Sequence, residues 1–543
     1  MLKKYRSGIG IEGWLLVAVA ISVLLRVVYV GARELWYDEV LSLLLSTGQR
    51  LQYENPPNVP VPLARYAALL HLPTFSSPID AIKTVKPLLQ GLVGREPHPP
   101  LFFLSQYVWL FISGTSEAAL RSLNALLGIG SLLGAYGMGR ALLEHRGGLV
   151  MAALLGLNPF FWFHSLNLRM YGPTVLWVTL SGWAMLSLCY HPPRRWSRQV
   201  LSSLLLIGSV TAGLLTYYLF AYWVLALMLL VLVCDRRRWW QHGLRLAVAG
   251  LLAMPWYAWG LPQQLRNADF ERFGEDLSGI ETVLIHTQGV IEAIGINLLV
   301  GDWASGLSRP WLIAAGLIAI AGLVWMAAHL AARREQRLVP VLILGLVPIS
   351  IALAADVVSG KFTLSWGEGR SVIFILPGLL LWMTLWLLRG SRQQRTAIAA
   401  VLIFYLAVTG ADAVGRGRQM FHQVAAQVNS DSTLVVLNSK AWGHVLRLAY
   451  YLPVEAKIDL LATNPAALPD SLPSALTTAA YDRILWLEAA NPLWQAPETA
   501  AEAAQIRQSV DQLLTDQYRL QSQSTLTGTM LLDRFSLSTY DRP

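Results

Sequence analysis

The chain has 543 residues, of which 55% are hydrophobic and 14% are charged, and its formal net charge is +9. This balance excludes a soluble domain, which would aggregate, and indicates a polytopic membrane protein. The arginines stand in short segments between apolar runs, a pattern that sets membrane orientation, so the positive charge does not indicate a nucleic-acid partner. The two cysteines, Cys189 and Cys234, predict neither a disulfide framework nor a metal cluster.

The first predicted element is a transmembrane helix over residues 11–31, which follows Lys3, Lys4 and Arg6. This apolar run is longer than the core of a signal peptide, and no small-residue cleavage site follows it. We therefore expect a retained first span with the N-terminus in the cytoplasm. Arg26 lies inside the run, where we expect it either to reach outward to the lipid headgroups or to meet a lipid substrate.

The basic segments between apolar runs fix the expected topology, because an even number of crossings must separate any two segments that both face the cytoplasm. They are Lys3/Lys4/Arg6, Arg140/Arg146, Arg194/Arg195/Arg198, Arg236/Arg237/Arg238/Arg245, Arg333/Arg334/Arg337 and Arg389/Arg392/Arg395. The 36 residues between Arg198 and Asp235 would make a helix of about 54 Å, against a hydrocarbon core of about 30 Å. They therefore predict a hairpin of two spans that turns near residues 215–220.

The same parity assigns two short or interrupted apolar segments, 101–114 and 280–303, to helices along the outer interface. About eleven transmembrane helices remain, and an odd number places the C-terminus outside. The predicted spans are 11–31, 118–139, 148–165, 172–190, 199–216, 218–234, 244–261, 311–331, 338–356, 371–388 and 396–412.

The composition shifts from about residue 420 toward Ser, Thr, Asp, Gln and Ala. Alternating strand and helix patterns predict a small extracytoplasmic α/β domain over 420–543, after a transmembrane domain over 1–415 whose first outer loop covers 32–117. The predicted strands are 432–438, 481–488 and 528–537, and the predicted helices are 441–452 and 495–520.

An acidic pair beside two aromatic residues follows the first span, in the run from Glu34 to Glu39. On a helix, Asp38 and Glu39 point about 100° apart, so both cannot face one reacting atom, which argues against a paired-carboxylate glycosidase. One carboxylate with a cationic partner fits better. The alternative is an interfacial belt, with aromatics at headgroup depth and solvated acids beyond them.

Several segments resemble the GT-C membrane glycosyltransferases, in the branch of the protein O-mannosyltransferases and aminoarabinose transferases. The similar segments are Trp36–Glu39 after the first span, His98–Leu101 before the second, Ser116–Arg121 at its start, Asn167–Tyr171 after the third, and Arg370. The likeness is scattered over about residues 30–390 and follows the family's order along the chain.

The resemblance implies transfer of a sugar from a polyprenyl-phosphate carrier to an acceptor hydroxyl on the extracytoplasmic face, with inversion at the anomeric carbon. Asp38 matches the Asp of the family's acidic pair, which implies that it is the general base, and Glu39 is the second carboxylate of that pair. A positioned carboxylate can accept the proton of a hydroxyl as the new bond forms. The phosphate leaving group needs no acid, but its negative charge must be stabilised.

Candidate donor-binding residues surround this chemistry. Arg370 and Lys361 are candidates for phosphate contacts, and the planar guanidinium of Arg370 suits a lipid phosphate. Arg169 and Tyr171 lie in the second outer loop and His98 lies in the first. The alternatives stay open: Arg370 as an interfacial anchor, Lys361 as a solvated residue and His98 as a rigid turn residue.

Metal binding is not predicted for any residue. Several relatives carry a second acidic residue in the second outer loop, but this chain has no Asp or Glu between Arg146 and Asp235. This departure puts a divalent metal in doubt, so we assign no cofactor and leave a divalent metal open.

The predicted function is an integral glycosyltransferase of the plasma (inner) membrane, in contact with membrane lipids and without a nucleic-acid partner. Its donor is a polyprenyl-phosphate-linked sugar, and its acceptor is a protein, a lipid or a glycan. The alternative from another class is a lipid or sugar transporter or flippase, although the sequence has no matching halves. A catalytically silent assembly protein on the same scaffold is the third hypothesis.

Overall fold

A computed structural model of the chain describes residues 10–74, 76–192, 195–268, 279–364, 367–390, 393–415, 419–428, 432–453, 456–493, 496–528, 530 and 532–543. Five basic residues used in the topology prediction lie outside these residues: Lys3, Lys4, Arg6, Arg194 and Arg392.

Helices dominate the described residues. The α-helices in chain order are α1 (Ile11–Tyr29), α2 (Tyr37–Ser46), α3 (Ala64–Ala67), α4 (Pro78–Arg95), α5 (Leu101–Ser113), α6 (Glu117–Leu157), α7 (Pro159–His164), α8 (Tyr171–Tyr190), α9 (Trp196–Thr216), α10 (Phe220–Cys234), α11 (Trp239–Asn267), α12 (Gly279–Gly295), α13 (Arg309–Ala332), α14 (Leu338–Ser359), α15 (Leu376–Leu385), α16 (Gln394–Gly415), α17 (Met420–Ala425), α18 (Trp442–Tyr451), α19 (Leu468–Thr478) and α20 (Ala500–Thr515). The strands are β1 (Val61–Pro62), β2 (Thr433–Leu437), β3 (Ile458–Ala462), β4 (Arg483–Ala489), β5 (Arg519–Thr527) and β6 (Arg534–Asp541).

Ten helical segments among the described residues are long and apolar enough to cross a membrane. This confirms the predicted polytopic helical membrane protein. The segments are Ile11–Tyr29, Glu117–Leu157, Tyr171–Tyr190, Trp196–Thr216, Arg236–Asn267, Gly279–Gly306, Arg309–Ala332, Leu338–Ser359, Arg370–Gly390 and Gln394–Ala425.

The structure differs from the predicted spans in three places. Residues 118–139 and part of 148–165 share α6, which is broken at Leu143 and Glu144, where Glu144 has a φ of 65°. The predicted span 218–234 becomes α10, which has only 15 residues.

The third difference is Gly279–Gly306, which was predicted to lie along the interface but is long and apolar enough to span. The parity of the basic segments argued against a crossing there, and Glu292 interrupts the apolar run. The Glu292 carboxylate accepts a hydrogen bond from Nε of Arg309 at 2.7 Å, and this pairing with a neighbouring helix lowers the cost of placing the charge in an apolar environment.

The described chain divides into two compact units. The helical unit comprises Met1–Val30, Leu92–Ser105 and Arg121–Gly415, and the mixed unit comprises Gly31–Gly91, Gln106–Leu120 and Arg416–Pro543. The mixed unit therefore combines two stretches of the predicted first outer loop with the C-terminal residues. The proposed division into folding domains at residues 415–420 stays a prediction.

A six-stranded sheet organises the mixed unit, in the order β1-β3-β2-β4-β6-β5. Strands β3, β2 and β4 are parallel, whereas β1, β6 and β5 pair antiparallel to their neighbours. Every side chain of β2 is buried, as expected for a parallel strand covered on both faces. Three strands were not predicted: β5, because its sequence is polar and its side chains are mostly exposed, and the short β1 and β3.

Within the helical unit, Arg26 of α1 is fully buried. Its Nε donates to Oγ of Ser165 at 2.9 Å, and its Nη1 donates to the carbonyl oxygens of Ser22 and Gly156 at 3.0 and 2.8 Å. The side chain neither reaches outward nor takes a surface position, which corrects the expectation that it extends to the headgroups. It ties α1 to the C-terminal part of α6 and to the residue after α7.

The mixed unit buries one ion pair. Arg447 of α18 and Asp533 are 1% and 3% exposed, and Nη2 of Arg447 lies 2.8 Å from Oδ1 of Asp533. The Arg447 guanidinium also stacks 4.5 Å from the ring centroid of Phe421.

His444, one turn before Arg447, is also fully buried. Its Nδ1 lies 3.1 Å from Oγ of Ser439, and its ring packs against Tyr37 and Phe535. Burial, reinforced by the nearby positive charge of Arg447, lowers the pKa of His444 to about 3.

We expect Asp533→Ala to lower the free energy of unfolding by about 3–5 kcal/mol, because it leaves the Arg447 charge buried without its partner. Denaturant unfolding of the purified full-length protein measures this loss. The double variant Arg447→Met/Asp533→Ala should be more stable than Asp533→Ala alone, and the exposed Asp470→Ala should change stability by less than about 0.5 kcal/mol. Equal stability of Asp533→Ala and Asp470→Ala would contradict the expectation.

We also expect the stability of the protein to fall as the pH drops below about 6.5. Between about pH 6.5 and 3 the unfolded chain protonates His444 while the folded chain does not, so each pH unit costs about 1.4 kcal/mol. Unfolding measurements at pH 7.5 and 5.5 should show a smaller decrease for His444→Gln than for the parent. The exposed His71→Gln is the control and should keep the parent's pH dependence.

Candidate functional site

Six polar and aromatic residues of the helical unit form one connected group, here called the polar cluster: Glu96, His98, Arg169, Tyr171, Tyr217 and Arg370. They all lie where helices begin or end. His98 precedes α5, Arg169 and Tyr171 stand at the start of α8, Tyr217 follows α9, and Arg370 opens the 3₁₀ helix that leads into α15.

The rings of three residues form the centre of the polar cluster. His98 stacks on Tyr217, with ring centroids 5.8 Å apart and an interplanar angle of 16°. Tyr171 meets both rings edge-on, at 6.4 Å from His98 and 6.0 Å from Tyr217. The cluster therefore has an aromatic core to which charged groups attach.

The charged groups lie around these rings. Cζ of Arg370 lies 5.8 Å from the ring centroid of Tyr171. Nη2 of Arg169 lies 3.9 Å from Oε1 of Glu96, and the same carboxylate accepts a short hydrogen bond from Nδ1 of His98. Arg169 and His98 are buried, and Arg370 is half-buried. The cluster thus holds two guanidinium groups and one carboxylate, which leaves a net positive charge suited to a phosphate.

The amide of Gln264 in α11 fixes the segment that carries Glu96 and His98. Its Nε2 lies 3.2, 2.6 and 3.0 Å from the carbonyl oxygens of Leu92, Glu96 and His98. Its Oε1 accepts a short bond from the hydroxyl of Tyr218. This buried amide shares its two N–H donors among three carbonyl groups at the end of α4 and in the segment that follows, where backbone groups have no helical partner.

Asp356 organises the segment that leads to Arg370. Its Oδ2 accepts the backbone N–H groups of Thr363 and Leu364 at 2.8 and 2.9 Å. Oγ of Ser371 then donates to the carbonyl oxygen of Leu364 at 2.6 Å, and the Tyr217 hydroxyl donates to the carbonyl oxygen of Ser371 at 2.8 Å. These bonds fix the start of the Arg370 helix relative to the aromatic core.

Two glycines allow the turn before Arg370. Gly367 and Gly369 have φ values of 71° and 77°, in the left-handed region that other residues rarely adopt. A Cβ at Gly367 would lie 2.3 Å from Nε of Arg370, so a larger residue there would displace the guanidinium.

The polar cluster and the large basic segments lie at opposite ends of the same helices. Helix α9 runs from Trp196, which follows Arg195, to Thr216, which precedes Tyr217. Helix α10 then returns to the arginines at Arg236–Arg238. We call the first end the cluster end and the second the basic end.

The predicted acidic pair belongs to the mixed unit. Asp38 is half-buried in the first turn of α2, and Glu39 beside it is fully buried. Oε2 of Glu39 accepts the backbone N–H of Trp36 at 3.0 Å. The Glu39 carboxylate therefore caps the helix that carries Asp38.

Helices near the C-terminus hold the segment around Asp38 in place. The Glu34 carboxylate accepts two hydrogen bonds from His422, one from its backbone N–H at 2.7 Å and one from its Nδ1 at 2.8 Å. The backbone N–H of Leu35 donates to the Tyr451 hydroxyl at 2.6 Å, and that hydroxyl donates to Glu117.

Tyr37 lies against Gly443 at the start of α18. A Cβ at Gly443 would lie 2.5 Å from the Tyr37 ring, so only glycine permits this approach. Burial raises the pKa of Tyr37 to about 12, so it is a neutral packing residue.

Lys361 lies in the segment between α14 and Arg370, and its backbone N–H lies 3.3 Å from the carbonyl oxygen of Asp356. Its predicted phosphate contact stays a prediction.

Among the residues that the structure describes, one group could hold a metal ion: Cys189, Asp235 and His242 offer ligand atoms within 4.8 Å of one another. It lies at the basic end, apart from the polar cluster. Arg238 already contacts Asp235 at 2.6 Å, and Arg245 lies 3.3 Å from Nδ1 of His242. Positive charges on both sides disfavour a further cation, and no cofactor is established for this protein.

Four predicted binding residues therefore lie together: His98, Arg169, Tyr171 and Arg370. Glu96 and Tyr217 were not among the predicted binding residues. Glu96 stands in the same run as His98, and Tyr217 stands at the predicted turn of the α9–α10 hairpin, where a polar residue between two apolar spans was the available signal.

The chain is similar to known proteins in sequence and in fold. A family model of dolichyl-phosphate-mannose-protein mannosyltransferases matches residues 97–259, which include His98, Arg169, Tyr171 and Tyr217. No curated protein sequence gives a significant match to the chain.

Solved structures with a similar fold cover nearly the whole chain. ArnT from Cupriavidus metallidurans bound to undecaprenyl phosphate has a TM-score of 0.54 and 14% identity, over 97% of this chain and 98% of that chain. The apo state of the same protein gives 0.51 and 12%, with the same coverage. The oligosaccharyltransferase of Archaeoglobus fulgidus, in complex with Zn and sulfate, gives 0.47 and 13%, over 87% of this chain and 67% of that chain.

The predicted resemblance is thereby confirmed: this integral membrane protein is similar to the GT-C membrane glycosyltransferases, in sequence over residues 97–259 and in fold over almost its entire length.

Proposed function

We propose that the protein is a membrane glycosyltransferase that moves a sugar from a polyprenyl-phosphate carrier to an acceptor hydroxyl on the extracytoplasmic face. The observation that carries the proposal is the polar cluster, in which Arg169 and Arg370 attach to one aromatic core at the ends of membrane-spanning segments. The similar fold of ArnT, solved bound to undecaprenyl phosphate, supports this class of donor.

The two arginines bind the donor phosphate in this proposal. Guanidinium groups form paired hydrogen bonds with phosphate oxygens and stay charged at any physiological pH. The phosphate becomes the leaving group when the bond from its oxygen to the sugar breaks, and the same cations stabilise the negative charge that it gains. Glu96 and His98 orient Arg169, and Tyr171 supports Arg370. Lys361 is assigned as a further phosphate contact.

The acceptor hydroxyl attacks the anomeric carbon in a single displacement, which inverts the configuration at that carbon. We assign Asp38 as the general base that takes the hydroxyl proton while the carbon–oxygen bond forms. No general acid is needed, because the polyprenyl phosphate leaves as an anion.

We assign Glu39 a supporting task within the acidic pair. Its bond to the Trp36 backbone holds the first turn of α2, and the first turn carries Asp38. A direct part for Glu39 in proton transfer remains the alternative that its conservative variant tests.

The proposal places the protein in the plasma (inner) membrane, with the N-terminus and the basic end in the cytoplasm and the C-terminal domain on the extracytoplasmic side. Positive charge retained in the cytoplasm supports this orientation. The acceptor is a protein, a lipid or a glycan, and no step is assigned to a metal.

We expect Asp38→Asn to lower turnover by at least about 100-fold while donor binding is retained, since the amide cannot accept the proton. The measurement is release of free carrier from polyprenyl-phosphate sugars by the purified full-length protein. Glu39→Gln is the matched control, because its amide oxygen can still accept the Trp36 N–H. Full turnover in Asp38→Asn would overturn the assignment of the base, and loss of turnover in Glu39→Gln with an intact fold would give Glu39 a direct role.

We expect Arg370→Gln to weaken donor binding by about 10- to 100-fold, the effect of losing a charge-assisted hydrogen bond to phosphate. Equilibrium binding of a polyprenyl-phosphate sugar measures this change. Arg309→Gln is the control, because Arg309 begins α13 at the cluster end but pairs with Glu292. If both variants bind the donor equally well, Arg370 does not contact the donor phosphate.

A further inference from the structure

A groove opens at the basic end of the helical unit, between the start of α9 and the first turns of α11. Its volume is about 320 Å³, and it is lined by Trp196, Gln199, Val200, Ser203, Leu204 and Arg245. None of these residues belongs to the polar cluster, and the mechanism proposed above does not use them.

Arg245 is the charged group of the groove, and its side chain is fixed on two sides. Its Nε donates to Oγ of Ser203 at 2.8 Å, and its Nη1 lies 3.3 Å from Nδ1 of His242. A guanidinium carries five N–H donors, so these two contacts leave donors for a ligand in the groove.

The surroundings of the groove are strongly positive. Between residues 191 and 246 the sequence has seven arginines and a single acidic residue, Asp235. The Asp235 carboxylate contacts Arg238 at 2.6 Å and Nε2 of His242 at 2.9 Å, so its charge is already balanced. Arg195 and Arg198, near Trp196, are exposed. The charge of the groove therefore complements an anion.

The rest of the local surface is suited to lipid. Trp196, Trp239 and Trp240 are exposed, as are Leu201 and Leu204 along α9. Tryptophans mark the level of the headgroups, and an apolar helix face continues from there into the hydrocarbon region. An anionic phospholipid suits this surface, because Arg245 can bind its phosphate while its apolar tails lie along α9.

We propose that this groove binds the phosphate group of an anionic phospholipid from the leaflet at the basic end. A polyprenyl-phosphate donor for the polar cluster is a different ligand, because the cluster lies at the opposite end of the same helices, and a hydrocarbon core is about 30 Å thick. The proposal is independent of the catalytic function assigned above.

The test measures binding of phosphatidylglycerol and phosphatidylcholine to the purified full-length protein in detergent, by native mass spectrometry. We expect the parent to prefer phosphatidylglycerol, and we expect Arg245→Gln to lose at least about 10-fold in affinity for it. Val200→Trp fills the groove and keeps every charge, so it should show the same loss. Arg266→Gln is the control, because Arg266 is an exposed arginine near the other end of α11, and it should bind like the parent.

Three results would overturn the proposal. The first is equal affinity of the parent for both phospholipids. The second is unchanged phosphatidylglycerol binding in a folded Val200→Trp variant. The third is displacement of phosphatidylglycerol from the groove by a polyprenyl phosphate at equal concentration, which would identify the carrier as the occupant.

Discussion

Polar groups at membrane depth must find partners inside the protein, and this constraint determines how the helical unit is built. Three buried polar side chains satisfy it at three places: Arg26 binds carbonyl oxygens in α1 and α6, Gln264 binds three carbonyls beside His98, and Asp356 binds two N–H groups before Arg370. The last two hold the segments that carry the polar cluster. These hydrogen bonds satisfy the irregular backbone at both places. They also fix the positions of the Arg370 guanidinium and the His98 imidazole in the polar cluster.

The sequence predicted the helical scaffold well because an apolar run of about 20 residues is a strong and local signal. The prediction was weaker where contacts between distant residues determine the local structure. The parity of the basic segments placed 280–303 along the interface, whereas Gly279–Gly306 is long and apolar enough to span, and the polar strand β5 gives no strand pattern because its side chains are exposed. The short α10 shows the same limit, since hydropathy alone does not fix where a helix ends.

The candidate site was predictable in part, for a similar reason. The family resemblance pointed to His98, Arg169, Tyr171 and Arg370, and the planar guanidinium of Arg370 also suited a lipid phosphate. Tyr217 was missed because its stacking on His98 joins residues far apart in the chain. Glu39 illustrates the reverse case: its pattern suggested chemistry, while its contact in the structure is a helix cap. Spacing alone cannot separate a reactive carboxylate from one that satisfies backbone N–H groups.

In the mixed unit, the segment around Asp38 packs against residues that are synthesised much later. Glu34 and His422, which bond to each other, are 388 positions apart. At a synthesis rate of about 5–20 residues per second, roughly 20–80 s pass between the two. During that delay the leucines of α2, which are buried in the finished protein, have no C-terminal helices to cover them. The early loop therefore completes its packing only after the C-terminal residues have been synthesised.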